Sequence, residues 1–464
     1  MTYQNEDELK KGCDSILVCG EGDVRILDVS RFREKLIDDL IHTAVFSSNP
    51  DIQEAAAFLI RRGAAQLGIM PASIQSLYEA MGRKEVGGFT VPAINIRGMT
   101  YHVAQAVFRA AMKGDVGPVI FEIARSEIGY TRQRPQEYAC NVLAAAVKSG
   151  WCGPVFLQGD HFQINAKKFA ADREKEMQAV RDLIREAIQA GFYNIDIDTS
   201  TLVDLSRPTI KDQQRTNFTL AAELTAFIRD LEPEGITISV GGEIGEVGGK
   251  NSTVEELQTF MDGYSEELKK HGPALKGISK ISVQTGTTHG GVPLADGTVA
   301  RVKIDFEVLE KLSETARTQY GLSGAVQHGA STLPDEAFDR FPATGTAEIH
   351  LATGFQNIIY DSQSFPGQLR ARIYDYLKAE LKGEWKEKDT EEQFIYKTRK
   401  KGFGPFKLEM WQLPNEVRDE ICAELEGKFA FLFEKLKVKG TRPLLDRFIK
   451  PIDVPLEMPK VLEG

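Results

Sequence analysis

The chain has 464 residues, 42% hydrophobic and 27% charged, which is the balance of a globular protein long enough for one large barrel with additions or for several domains. Its 57 lysines and arginines stand against 67 acidic residues, a net charge of -10, so no overall basic footprint points to nucleic acid. No uninterrupted apolar run approaches bilayer length, and the five cysteines (Cys13, Cys19, Cys140, Cys152, Cys422) lack CxxC spacing and read as reduced thiols.

From the amino terminus, residues 1–86 read as a helical extension. "MTYQNEDELKK" has no apolar secretory core, so we expect a cytoplasmic protein. "VCGEGDV" is glycine-rich but lacks GxGxxG spacing before a helix; it reads as a turn, and no Rossmann cofactor is inferred. "SRFREKLIDDLIHTAVF" and "NPDIQEAAAFLIRRGAAQLG" have helical periodicity, the second opened by Asn49 as N-cap with Pro50 at the first helical position.

Residues 87–365 repeat one unit: a short β-branched run, a polar turn, a helical stretch and a glycine. The strand candidates are "FTVPAINI", "GPVIFEIA", "GPVFLQGDHF", "FYNIDIDTS", "GITISVGGEIG", "ISKISVQTGTTHG", "LSGAVQHGAS" and "GTAEIHLAT". Between the third and fourth, "DREKEMQAVRDLIREAIQAG" places Met177, Val180, Leu183, Ile184, Ala187 and Ile188 on one helical face, with Gly191 as the stop. Eight strands apolar enough to be buried on both faces, alternating with helices, predict an α/β fold, a (β/α)8 TIM barrel. An open doubly wound sheet is the alternative. Residues 366–464 read as a helical C-terminal extension containing "PGQLRARIYDYLKAELKGEW" and "PNEVRDEICAELEGKFAFLFEKLKV", with "KGEWKEKDTEE" as a solvated surface segment.

In such a barrel, catalytic groups stand where strands end at the carboxyl face. Asp160 and His161 end the third candidate strand, Asp196 and Asp198 the fourth, Glu243 the fifth, His289 the sixth and His328 the seventh, while the eighth holds His350. Four of the seven histidines are there; His42, His102 and His271 fall on helix surfaces. A single strand-end histidine is more often structural, but several converging with carboxylates have the composition of a divalent metal site with an open position for substrate. The small neighbours Thr287, Thr288, Gly290, Gly329 and Ala330 leave room for a ligand to approach the backbone. Of Asp196 and Asp198 we expect one to face the barrel interior and the other the helices, and we give Asp198 the inward place.

In chain order these segments resemble the motifs of the class II, metal-dependent fructose-bisphosphate aldolases. "VPAINI" resembles that family's VPAFN strand, "VFLQGDHF" its aspartate-histidine motif and "GFYNIDIDTS" its GFxSVMIDGS segment. "GGEIGEVGG" resembles ExELGxxGG, "VQTGTTHGG" the GTxHG motif and "VQHGAST" the LHGGSG motif. The resemblance covers about residues 88–355, with an echo in "RKKGFGPF". It implies that His161, His289 and His328 bind a catalytic Zn2+ or similar divalent ion, with a monovalent cation nearby. Glu243 and Asp198 then line the same metal region, where they hold the ion in an alternate buried position.

By the same resemblance Asp160 polarises the aldehyde and handles the hydroxyl proton. Gly290, Gly329 and Ser331 hold substrate and its phosphate, with Asn95, His350 and Thr353 in the same shell. The proton-abstracting base belongs to the loop after the fifth strand, where Glu246, Glu255 and Glu256 are available and we take Glu246. Departures cluster elsewhere: Glu348, His350 and Gly354 occupy the KxNxxTD segment, Gly241 replaces the first glutamate of ExELG, and Ala124 or Ser126 stands near the serine expected after the second strand.

The implied function is reversible cleavage of a phosphorylated ketose through a zinc-stabilised enediolate, with the phosphorylated sugar as partner and homo-oligomerisation through the extensions. The alternative is a non-catalytic accessory subunit. A Schiff-base aldolase built on Lys280 is a weaker rival, because that chemistry needs a lysine of lowered pKa.

Overall fold

The computed structural model describes residues 1–20, 22–245, 250–286 and 304–463. All eight expected segments form strands: β1 (Val91–Asn95), β2 (Ile120–Ala124), β3 (Gly153–Gln163), β4 (Asn194–Asp198), β5 (Ser239–Glu243), β6 (Lys280–Val283), β7 (Ala325–Gln327) and β8 (Glu348–Leu351). Each pairs in parallel with the next, and β8 returns to β1 with Glu348↔Val91 through Leu351↔Ile94, so the sheet closes into an eight-stranded TIM barrel. Closure removes the edges of an open sheet and leaves strands buried on both faces, which is why they read as nearly continuous apolar runs. The open-sheet alternative is thereby excluded. A short strand, Ile69–Pro71, adds to β3 outside the barrel.

The helices follow the local signals. Asp172 caps helix Arg173–Gln189 by accepting from the Lys175 backbone N–H at 3.1 Å, and all six residues expected on its inner face are buried. Asn49 caps helix Pro50–Gln66 by accepting from the Asp51 N–H. On either side of Glu21, which lies outside the described residues, Leu17–Gly20 pairs antiparallel with Asp23–Ile26.

One continuous apolar core runs from Tyr3 to Leu462 and includes residues of both helical extensions. Helix Gln75–Gly82 packs over the amino-terminal end of the barrel, where the buried Tyr78 hydroxyl donates to Glu348. Helix Asn415–Lys435 lies along helix Thr100–Lys113, with Arg109 Nε 2.6 Å from a Glu426 carboxylate oxygen. Two histidines assigned to helix surfaces are placed differently. The His42 and His102 rings pack edge-on to Trp411 at 5.9 and 5.2 Å, and burial holds His102 near a pKa of about 3, hence neutral. Helical periodicity could not reveal a tryptophan brought from the far end of the chain. His271 is exposed, as expected. Among the described residues, no helix is long and apolar enough to cross a membrane.

Candidate functional site

The site begins with an irregularity in β3. Adjacent strand residues point to opposite faces, yet Asp160 and His161 both contribute to one cluster at the barrel mouth. A register shift against β4 between Gly159 and Phe162, with His161 at φ +41°, breaks the alternation and turns both side chains inward. Gly159 makes this possible, because a Cβ there would fall 2.4 Å from the Phe162 ring. A non-glycine residue at positive φ costs about 1–3 kcal/mol and persists only where its surroundings enforce it. Here the strain sits at a proposed metal ligand.

Around this bulge the expected groups gather. Ligand atoms of Asp160, His161 and His328 lie within 4.8 Å of one another, and so do those of His161, Asp198 and Glu243. The His161 and His328 rings are 4.2 Å apart, and His328 Nε2 is 2.8 Å from Ser282 Oγ. His161 Nδ1 contacts the Asp160 carboxylate and its Nε2 lies 3.5 Å from Glu243. Burial acts to lower the His161 pKa, but Asp160 and Glu243 outweigh it and push it well above the usual range. Burial likewise works to raise Asp160, but His161 and His350 hold it well below the usual carboxylate range. Asp160 is therefore ionised at neutral pH.

Asp196 corrects the expectation for β4. Residues two apart in a strand share a face, so Asp196 points inward along with Asp198. It meets Lys280 Nζ at 3.0 Å, deeper in the barrel. Lys280, the first residue of β6 and 1% exposed, also contacts Glu348 and donates to Gln158 Oε1 at 2.8 Å. Burial acts to lower the Lys280 pKa, but Asp196 and Glu348 outweigh it and raise it. A protonated, ion-paired ammonium is not the nucleophile of a Schiff-base aldolase. The same pair accounts for Gly241, since a Cβ there would lie 2.3 Å from Asp196 Oδ1 and 2.9 Å from Lys280 Cε.

Above the cluster opens a cavity of about 430 Å³ lined by Asn95, Asp160, His161, His328, Gly329, Ser331, His350 and Thr353 among others. Asn95 Nδ2 donates to Glu127 at 2.6 Å, and Gly329 has φ +68°, a left-handed conformation that suits glycine. Three expected residues, His289, Glu246 and Gly290, lie outside the described residues, as do Thr287 and Thr288. Glu255 and Glu256 stand in the first turn of helix Val254–His271, and Glu256 completes its capping box with Thr253.

The cavity also holds residues that sequence reasoning missed. Arg97 Nε donates to Glu127 at 2.7 Å, and its Nη1 donates to Gln356 at 2.9 Å and Thr353 at 3.3 Å. Lys400 comes from the C-terminal segment, whose Phe403 ring packs so closely on Gly98 that a Cβ there would be 2.0 Å away. Its Nζ forms no hydrogen bond or ion pair with a described residue and stands 5.8 Å from the Tyr130 ring centroid. Glu122, buried in β2, faces the same lumen, and its carboxyl is raised to about 7 by burial and by the Asp160 charge, against the pull of His350. A lone glutamate inside the apolar "VIFEIA" was the available signal.

A family profile described as fructose-bisphosphate aldolase class-II matches residues 75–402, well over half the chain. The chain belongs to the class II fructose-bisphosphate aldolase family. The match to the class II aldolases begins at Gln75, on the helix closing the barrel floor, and ends at Gly402, in the turn that carries Lys400. A solved structure described as a "probable tagatose 6 phosphate kinase" from Sinorhizobium meliloti 1021 aligns with a TM-score of 0.52 and 18% identity, over 80% of this chain and 96% of that one. The fructose-bisphosphate aldolase of Campylobacter jejuni aligns with a TM-score of 0.47 and 16% identity, over 80% and 96% of the two chains. At such identities the first likeness bears on the fold alone. A search of curated proteins found no match.

The donor set of this class II aldolase family member fits a divalent cation. Imidazoles and carboxylates from different strands converge, with the carboxylates Asp198 and Glu243 on the same side as His161.

Proposed function

We propose that the protein is a divalent-metal-dependent aldolase that reversibly cleaves a phosphorylated ketose. The observation that carries this reading is the convergence of Asp160, His161 and His328 on the floor of a cavity that also admits Arg97 and Lys400. His161 and His328, with His289, are the proposed ligands, and zinc is the expected metal. When bound there, the ion supplies Lewis-acid stabilisation of the negative charge that develops on a substrate oxygen as the carbon–carbon bond breaks.

The chain's own groups do the rest. Asp160, ionised and beside the ligands, accepts the hydroxyl proton on the aldehyde-forming half of the substrate and returns it in the condensation direction. Lys400 and Arg97 hold an anionic group at the rim, though Arg97 is already engaged with Glu127. Helix Thr353–Asp361 opens at the cavity, so its first-turn N–H groups and Thr353 favour a phosphate at the end of β8. Ser331 and Gly329 line the same side.

The test pairs metal analysis with coupled cleavage assays over ketose monophosphates and bisphosphates. We expect a bound divalent ion and cleavage of at least one phosphorylated ketose, abolished by chelation and restored by metal. A protein that binds the ion stably yet cleaves none of them would overturn the reading.

A further inference from the structure

Beside the His161–His328 cluster lies a second group of potential ligands with different members. Glu122 from β2, Asp160 from β3 and His350 from β8 bring ligand atoms within 4.8 Å of one another. All three are nearly or wholly buried, at 0%, 6% and 5% exposure. His350 Nδ1 stands 2.9 Å from Glu122 Oε2 and 3.3 Å from Asp160 Oδ1, and its Nε2 is 2.6 Å from Glu348.

These are close contacts, yet neither ring nitrogen of His350 has an aligned hydrogen-bond partner among the described residues, and Glu122 Oε1 has none. Buried polar atoms are almost always satisfied, and those that are not call for a missing partner. Charge points the same way. Four carboxylates, Glu122, Asp160, Asp196 and Glu348, surround the imidazole, and the one permanent cation touching any of them among the described residues is Lys280, already shared by Asp196 and Glu348. Among the described residues, Glu122 and Asp160 have no such cation in contact. Glu348, itself anchored by Lys280 and Tyr78, stands beside Nε2, where an outer carboxylate would orient the imidazole once the ring turns to ligate.

We propose that Glu122, Asp160 and His350 form a second divalent-cation site adjoining the His161–His328 centre. Its cation neutralises the two carboxylates and takes the lone pair of His350 that faces them. Ligation by one Asp160 oxygen leaves the other to serve the hydroxyl proton. The His328 and His350 rings are 4.0 Å apart, so two bound ions would be close neighbours. The site goes beyond the aldolase reading and does not require it.

The tag-free full chain is stripped with chelator, reloaded with Zn2+, freed of excess and measured for metal per chain. We expect two ions in the wild type, one in each of Glu122→Gln, His350→Gln and His161→Ala, and none in the double variant H161A/E122Q. One ion in the wild type would overturn the proposal, with a protonated His350 then balancing Glu122. Two ions unchanged by both Glu122→Gln and His350→Gln would overturn it equally. Mn2+ loading of the wild type keeps the test independent of variant folding: a spin-coupled pair in the electron paramagnetic resonance spectrum is expected, and two isolated ions would count against adjoining sites. Loss of ketose cleavage with two ions retained would instead break the aldolase reading alone.

Discussion

The floor and the mouth of this barrel use the same residue types for opposite ends. At the floor, Lys280 meets Asp196, Glu348 and Gln158, Tyr78 donates to Glu348, and helix Gln75–Gly82 seals the network from water. Every carboxylate there has a partner of fixed charge. At the mouth, among the described residues, Glu122 and Asp160 touch imidazoles and, for Glu122, the neutral Gln158 amide, but no permanent cation, below a cavity open to a ligand. Satisfied charge confers rigidity, whereas charge that still lacks a permanent counterion leaves room for a metal and substrate. This matches the division of barrels between a stabilising amino-terminal face and a reactive carboxyl-terminal one.

Breaking the mouth gives the largest expected effects. His161→Ala and His328→Ala should lose ions from the first site and abolish ketose cleavage, with the thermal transition retained. Asp160→Asn should lower kcat by about 10²–10⁴, the span of a single general acid–base group. Its metal at the His161–His328 centre should remain, and single-turnover kinetics with metal analysis would check both. Breaking the floor should read out as stability. Lys280→Met strips two buried carboxylates of their cation and is expected to cost about 3–5 kcal/mol in denaturant unfolding. If Lys280→Met instead leaves stability intact and abolishes activity with a trapped imine lost, the division between floor and mouth is wrong.

Much of the mouth could be read in the sequence because strand ends are local. "QGDHF" and "VQHGAS" place histidines at the ends of apolar runs, and barrel geometry then brings those ends together. What pairs with what was hidden. Lys280 finds Gln158, Asp196 and Glu348 at sequence distances no pattern encodes, and Lys400 reaches the cavity only because Phe403 docks on Gly98. The inward place of Asp196 was recoverable from strand periodicity. The neighbouring orientations of Asp160 and His161 were not, because they depend on a bulge.

The rim should show an intermediate effect. Lys400 has no ion-pair partner among the described residues, and burial together with the Arg97 charge lowers its pKa. An anionic substrate group is the partner that would keep it protonated. A hydrogen bond between charged groups is worth about 1.5–3 kcal/mol, so Lys400→Met should raise KM about tenfold or more with kcat nearly unchanged. An unphosphorylated ketose should show no such loss. Equal losses on both would remove Lys400 from phosphate recognition.

The smallest effects are in pH dependence, where floor and mouth should slope in opposite directions in chelator-treated protein. Burial works to raise Glu348, but Lys280 and His350 outweigh it and hold its pKa well below normal. Such a group contributes stability that is present above the unfolded value of about 4.3 and lost as pH falls through the depressed folded value. Glu122 has the reverse sign. Its carboxyl is raised to about 7 by burial and Asp160, so its contribution is complete below about 4.3 and disappears as pH rises through 7. Melting temperatures measured from acid to neutral pH should therefore lose part of the acid-side fall in Glu348→Gln and part of the decline toward neutrality in Glu122→Gln. Zn2+ should abolish the Glu122-dependent decline in the wild type, since a bound cation favours the ionised carboxylate, and should leave the Glu348 limb in place because Lys280 already supplies that charge. If Glu122→Gln leaves the neutral-side slope untouched, Glu122 is not an uncompensated acid, and the contrast between mouth and floor fails at that residue.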